Sequence, residues 1–328
     1  TDTLARWFLD AKREFPWREE PSPYAVWVSE IMLQQTQAVV VVPYFERWMQ
    51  RFPTVKALAE APLDAVIKEW EGLGYYSRAR YLHQGAQHIL AEHDGELPST
   101  EEELRKIKGL GDYTVGAILS FAFHKKAAAV DGNVLRVLSR YFLIEDDISK
   151  QKTVKAIRTL AQEQLPEKEP WVVAEALIEL GATICGRQPK CLECPLKYTC
   201  KGFATGRAIT LPVKSKKVKV EELLRAVTIL IKEDRVLLRK GVEGEVMQDL
   251  YEFPYYQHQE KMLTTAMMEQ WITEKFSFSP VFQEVLPKET HGFTRYRVQL
   301  ESFVFNTKGM AEAPQGYLWH PLKELTQL

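Results

Sequence analysis

The chain has 328 residues, 45% of them hydrophobic and 27% charged, with a formal net charge of −1. That length suits two domains with packed cores, and the near-neutral balance gives no bulk-charge signal for a nucleic-acid partner. No apolar run reaches transmembrane length, and Thr1 to Glu20 mixes Arg, Lys, Asp and Trp where a signal peptide would be apolar. The expectation is a soluble protein with no membrane partner, in an intracellular, reducing compartment such as cytoplasm or nucleoid.

Residues 1–205 read as helical. Apolar residues recur at three and four positions in Leu58, Val66, Ile67 and Trp70, and again in Leu135, Leu138 and Phe142. Ser99 with Glu102 predicts a capping box ahead of Leu104 and Ile107. Gly72, Gly74, Gly109, Gly111 and Gly132 punctuate the pattern. Residues 206–220, with Gly206, Pro212 and a lysine run, read as a linker. Beyond it, Arg225 to Ile231 and Val236 to Leu238 flank Glu233-Asp234 as a β-hairpin. A helix is expected over Thr264 to Lys275, and Tyr296, Val298 and Leu300 alternate with polar residues as a strand with one wet face. The fold class is therefore an all-α domain followed by a smaller α+β domain over 221–328.

Four cysteines, Cys185, Cys191, Cys194 and Cys200, are the only ones in the chain, separated by five, two and five residues. Thiols this crowded read as one metal site; the spacing and the Cys194-Pro195 step favour an iron–sulfur cluster over a zinc ion, with disulfides behind both. Lys190, Lys197 and Lys201 surround them, either as a phosphate-binding face or as ordinary solvated charge.

Three further segments can carry chemistry. Ile107 to Thr114 sets Gly109 and Gly111 in a tight turn before an apolar helix, Val115 to Phe123, where successive N–H groups can hold a phosphate; a plain helix–helix turn has the same pattern. Asp131 precedes Val134 to Leu138, so it is an N-cap, a functional carboxylate, or both. Glu30 lies between Val26-Trp-Val28 and Ile31-Met-Leu33 in an apolar helical stretch. Burial there raises a carboxyl pKa toward the range of a general acid.

Ser29-Glu-Ile-Met-Leu-Gln-Gln-Thr36, Trp70-Glu-Gly-Leu-Gly-Tyr-Tyr-Ser-Arg78, Lys108-Gly-Leu-Gly-Asp-Tyr-Thr-Val-Gly-Ala117, Val130-Asp-Gly-Asn-Val134 and Glu175-Ala-Leu-Ile-Glu-Leu-Gly-Ala182 together resemble the adenine DNA glycosylases of the MutY family. The resemblance spans nearly the whole chain. It implies a helix–hairpin–helix glycosylase domain with a 4Fe–4S cluster on the four cysteines, followed by a Nudix-like domain. It further implies a monomer that binds double-stranded DNA containing adenine opposite 8-oxoguanine or guanine, excises the adenine and leaves an abasic site.

On that resemblance Glu30 is the acid that protonates adenine at N7, and Asp131 stabilises the oxocarbenium-like sugar. Tyr113 and Asn133 support them, and Trp17, Arg18 and Glu175 line the pocket for the extruded base. Gln35, Tyr75 and Leu73 push into the duplex, while Gly109 and Gly111 hold phosphate. A glycosidic bond to a neutral purine needs an acid at the base and negative charge at the sugar, and two carboxylates in different environments supply both. Related endonuclease III enzymes carry a lysine where this chain has Tyr113, which cannot form a Schiff base, so the resemblance implies no strong lyase activity.

The chain departs from the family pattern at three places. The first cysteine spacing is one residue shorter than usual. Asp112 puts a carboxylate in the phosphate-binding turn. The family's His-x-Phe-Ser-His segment for 8-oxoguanine reads here His291-Gly-Phe-Thr-Arg295, matching at His291 and Phe293, with a hydroxyl kept at Thr294. Residues 255–280 lack the Arg-Glu-x-x-Glu-Glu helix that binds magnesium in Nudix hydrolases, so the second domain is expected to recognise lesions without hydrolysis.

Overall fold

The computed structural model describes residues 2–19, 21–215, 220–245, 247–258, 263–293, 295–308 and 312–327. The chain forms two compact units, Thr1–Lys217 and Val218–Leu328. The first is all helical and the second is α+β, as the pattern of the sequence predicts.

In the first unit the helices run α1 Asp2–Ala11, α2 Pro16–Glu19, α3 Pro23–Met32, α4 Ala38–Arg51, α5 Val55–Ala59, α6 Leu63–Glu69 and α7 Ser77–Glu92. They continue with α8 Glu101–Leu104, α9 Asp112–Ala117, α10 Gly132–Phe142, α11 Gln151–Gln164, α12 Pro170–Thr183 and α13 Lys201–Ala204. Helix α3 is the centre of the unit. Ser22 caps it, accepting from the Ala25 N–H at 3.1 Å, Pro23 fits its first turn, and every residue from Tyr24 to Met32 is buried. A helix apolar all round must sit inside, and α4, α7 and α9 pack about it. Trp27, Trp48 and Trp70 are fully buried in the same core.

Two details differ from the sequence reading. The cap of α8 is Thr100, which accepts from the Glu103 N–H, one residue later than the Ser99–Glu102 pair predicts. The helix expected over Val115 to Phe123 is α9 followed by a π-helical turn, Ile118–Ala122. Such a turn is set by how the segment packs, and no local residue signals it.

Among the described residues the second unit has an eight-stranded sheet and one α-helix, α14 Thr265–Phe276, capped by Thr264. The strands are β1 Glu221–Lys232, β2 Arg235–Lys240, β3 Tyr251–Glu252, β4 Tyr255–His258, β5 Ser279–Val285, β6 Glu289–Phe293, β7 Tyr296–Lys308 and β8 Tyr317–Pro321. Their order is β3-β2-β1-β7-β5, with β4 on β1, β6 on β7 and β8 on β2; β1 and β7 run parallel. Met268, Ile272 and Phe276 of α14 close a core with Ala226, Leu230, Leu237, Phe303 and Phe305. In the first half of β7, Val298 is buried between exposed Arg297 and Gln299, the alternation its sequence carries.

Candidate active site

A cavity of about 1090 Å³ opens in the first unit, and Trp17, Glu30, Tyr113, Asp131, Asn133 and Glu175 all line it. Five separate stretches of sequence thus converge on one space. Glu30 comes from the last turns of α3 and is 6% exposed. Burial pushes its carboxyl up to about 7, with the charges of Asp131 and Glu175 adding to the shift and the Tyr113 hydrogen bond working against it. The Tyr113 hydroxyl donates to Glu30 Oε2. Burial and the same carboxylates hold that hydroxyl well above the ordinary tyrosine range, so it remains a donor.

Asp131 is both the N-cap and a cavity residue. Its Oδ1 accepts from the N–H groups of Asn133 and Val134 at 2.8 Å each, and its Oδ2 accepts from the Asn133 amide at 2.6 Å. Burial raises the Asp131 pKa, and these three donors pull it back toward the ionised form. Two close approaches put it there. A Cβ on Gly116 would fall 2.3 Å from the Ala128 carbonyl, and one on Gly181 would fall 2.6 Å from Asn133 Cβ. Only glycine lets α9 and α12 come this near the segment that enters α10.

The wall formed by α1, α2 and α12 is an ionic network. Arg18 Nε pairs with Glu175 Oε2 at 3.0 Å, and its Nη2 with Glu179 Oε2 at 3.0 Å. Arg13 meets Glu179 through Nε at 2.5 Å and Nη2 at 3.3 Å. Burial works against ionisation of Glu179, which is 1% exposed, yet the two guanidinium groups hold its carboxyl below the usual range. Burial raises Glu175 against the opposing pull of Arg18. Trp17 stacks on Phe15 with centroids 4.8 Å apart and meets the edge of Phe45.

Gln35, Gly109 and Gly111 line the same cavity. Gln35 and Tyr75 both have left-handed backbones, with φ of 60° and 51°. Tyr75 is exposed at its loop tip, whereas Leu73 is buried at the base of that loop. Neither Leu73 nor Tyr75 lines the cavity. Gly109, with φ of 91°, turns the chain, and Gly111 caps α9. Asp112 does not leave a free negative charge there: Arg105 binds its Oδ1 at 2.6 Å and Arg158 binds its Oδ2.

The four cysteines line one smaller cavity beside Arg140. The short first spacing is closed by two backbone bonds, Cys185 N–H to Leu180 at 2.7 Å and Lys190 N–H to Ile184 at 3.0 Å. Arg140 Nη1 donates to Cys185 Sγ at 3.3 Å and to the Gly186 carbonyl at 2.6 Å, and Arg136 Nε to the Cys185 carbonyl at 2.8 Å. The cysteine loop is thereby tied to α10, whose first turn Asp131 caps. Burial and mutual repulsion raise the Cys191 thiol and push Cys194 up to about 11. Among the described residues no group of His, Cys, Asp or Glu meets the geometry of a site for one metal ion. An all-sulfur set arranged round a shared cavity fits the donor chemistry of an iron–sulfur cluster.

The HhH-GPD superfamily of base excision DNA repair proteins matches residues 28–163, and the NUDIX domain matches residues 226–328. The adenine DNA glycosylase of Buchnera aphidicola subsp. Baizongia pistaciae is 34% identical over 265 residues, covering 80% of this chain and 75% of the relative. The chain belongs to the adenine DNA glycosylase family. The Rattus norvegicus member is 42% identical over 222 residues, 64% of this chain, and the chain spans 43% of that relative's length. An endonuclease III solved in a non-covalent complex with DNA superposes with a TM-score of 0.54 at 25% identity, covering 62% of this chain and 94% of that one. The helical domain of this family member thus has an endonuclease III-like fold.

The segment matched to 8-oxoguanine recognition lies on the β6–β7 hairpin of the second unit. His291 is exposed and pairs in register with Val298, and Phe293 pairs with Tyr296. Thr294 lies outside the described residues. Arg295 donates to the Tyr296 hydroxyl at 3.0 Å and pairs with Glu221 at 3.4 Å. Within the first unit the sequence reading passed over Arg13 and Glu179. Their signal was a second carboxylate one helical turn after Glu175, on the same face of α12.

Proposed function

We propose that this chain is a monofunctional DNA glycosylase that hydrolyses the bond between adenine and deoxyribose where the adenine lies opposite 8-oxoguanine or guanine. The observation that carries this reading is the pairing of a buried, protonatable Glu30, held by Tyr113, with an Asp131 carboxylate that accepts helix-capping N–H groups, in one cavity. Glu30 gives its proton to adenine N7. The glycosidic electron pair then leaves with the base, and positive charge develops on the sugar, where Asp131 stabilises it. Water adds to the anomeric carbon, losing its proton to a carboxylate of the cavity. Adenine and an abasic site result. Asn133 orients Asp131, and Trp17, Arg18 and Glu175 form the wall against which the extruded base rests.

The partner is double-stranded DNA. Gly109 and Gly111 present N–H groups to a phosphate, with Asp112 neutralised by its two arginines, and Gln35 and Tyr75 fill the space the extruded base leaves. The hairpin with His291, Phe293 and Thr294 reads the opposite base. Cys185, Cys191, Cys194 and Cys200 would hold a 4Fe–4S cluster, whose iron would take the four thiolates as ligands and so fix the loop bearing Lys190, Lys197 and Lys201. The protein acts as a monomer in an intracellular compartment. Tyr113, lacking an amine, gives no covalent sugar adduct.

A duplex with one adenine opposite 8-oxoguanine tests this directly. Incubation followed by alkali breaks the adenine strand, while the untreated half stays intact. Intact strands in both halves, with folded and cluster-loaded protein, contradict the proposal, and breakage without alkali contradicts the monofunctional assignment.

A further inference from the structure

Arg78, in the first turns of α7, has no role in the chemistry above, yet it is 6% exposed and makes six hydrogen bonds. Its Nη1 donates to the carbonyls of Ile31 at 3.0 Å, Met32 at 2.8 Å and Gln34 at 2.6 Å. Its Nη2 donates to Thr36 Oγ1 at 3.3 Å and to the carbonyls of Leu73 at 3.2 Å and Gly74 at 3.0 Å. The first four acceptors belong to the end of α3 and the loop bearing Gln35. The last two belong to the loop bearing Tyr75. One planar guanidinium therefore bridges two loops separated by about forty residues of sequence, and its plane lies over Trp70 and Tyr75 at 5.2 and 5.5 Å from the ring centroids.

This is an expensive arrangement. No carboxylate pairs with Arg78 among the described residues, and its Nε is buried without a partner there. Burial lowers its pKa to about 10, against an opposing pull from Tyr75. A buried charge without a counterion is destabilising unless surrounding dipoles compensate, and here neutral carbonyls do so. The loops it joins are strained as well. Gln35 and Tyr75 are both non-glycine residues in the left-handed region, a strained conformation that persists only where the surroundings impose it.

We propose that Arg78 is a positioning residue that locks the Gln35 and Tyr75 loops into one preorganised wedge, so that base extrusion starts from a fixed geometry. The inference rests on the reading of Gln35 and Tyr75 as duplex-entering residues. Lysine at this position would keep the charge but cannot span two loops in one plane. The wedge would then loosen without loss of Glu30, Asp131 or the phosphate-binding turn.

The test compares wild type, R78K, Q35A, Y75A and the double variant Q35A/R78K on a duplex carrying 2-aminopurine beside the target adenine. Extrusion is read by fluorescence, excision by single-turnover rate and binding by titration. The expected result for R78K is duplex affinity near wild type with extrusion and excision slowed about a hundredfold, the scale of a misplacement of about 1 Å. The double variant should be no slower than the worse single variant, because both act through one wedge. Wild-type extrusion in R78K, or losses that multiply in the double variant, overturns the role of Arg78. Normal extrusion in Q35A and in Y75A instead overturns the wedge reading itself. If R78K fails to fold, hydrogen exchange on the wild type decides: amides of 31–37 and 72–76 should open together at one rate, and independent opening refutes the lock.

Discussion

Two regions of the first unit gather acids that repel one another, and they settle the repulsion by different means. The cavity holds Glu30, Asp131, Glu175 and Glu179. There the protein itself supplies every counterweight: a proton on Glu30, helix N–H groups on Asp131, and Arg18 and Arg13 on the other two. The cysteine loop gathers four thiols with one hydrogen bond from Arg140 to a sulfur, and the thiols of Cys191 and Cys194 are pushed up rather than stabilised as thiolates. The cavity is complete as a polypeptide, whereas the loop calls for charge from outside the chain. The contrast teaches where chemistry and where architecture sit: a region with its own graded set of protonation states can move protons, while a region of equivalent thiols suits a fixed cluster.

The strongest way to break the cavity's side of this contrast is Glu30→Gln. It removes the proton donor at nearly constant volume and should slow single-turnover excision by about 10²–10⁴-fold while duplex binding persists. A rate within a few-fold of wild type would remove Glu30 from the chemistry. Asp131→Asn comes next. Asparagine caps helices about as well as aspartate, so thermal stability should hold, yet excision should fall by about 10²–10³-fold with the lost negative charge. A fall in melting temperature that accounts for the whole loss of activity would reduce Asp131 to its cap. The smallest effect on chemistry is expected on the other side, in Cys194→Ser. Iron content and duplex affinity should drop, with affinity losing about tenfold as phosphate contacts weaken, while the pH dependence of bound-substrate excision stays in place. A shifted pH dependence would join the two regions that the contrast separates.

Much of this was legible in the sequence because the signals were local. A carboxylate between Val28 and Ile31 has nowhere polar to go, so Glu30 announced its burial. The cysteines announced a shared site by proximity alone. Asp131 was legible as an N-cap and as a candidate functional carboxylate, and the structure shows the cap with the same carboxylate on the cavity. Other features depend on partners far along the chain. Arg18 reaches Glu179 across 161 residues, Arg13 reaches it across 166, and Arg78 reaches Gln34 across 44. No periodicity encodes such pairings. The carboxylate that Asp112 puts in the turn was likewise read locally, and Arg105 together with Arg158, 46 residues away, pairs with it. The π-helical turn after α9 and the one-residue shift of the α8 cap belong to the same class, since packing rather than propensity sets them.

In the proposed reaction a buried carboxyl, its pKa raised to about 7, delivers the proton that frees the base. The single-turnover excision rate measured against pH, with substrate saturating, tests it most directly. Glu30 must be protonated to act, so the rate should hold on the acidic side of neutrality and fall as pH rises through about 7, with Glu30→Gln losing that limb. Asp131 must be ionised, so a second fall belongs at lower pH, above the ordinary aspartate range because burial raises that group. A rate unchanged from mildly acidic to mildly alkaline pH, or one that rises through neutrality, would contradict the account.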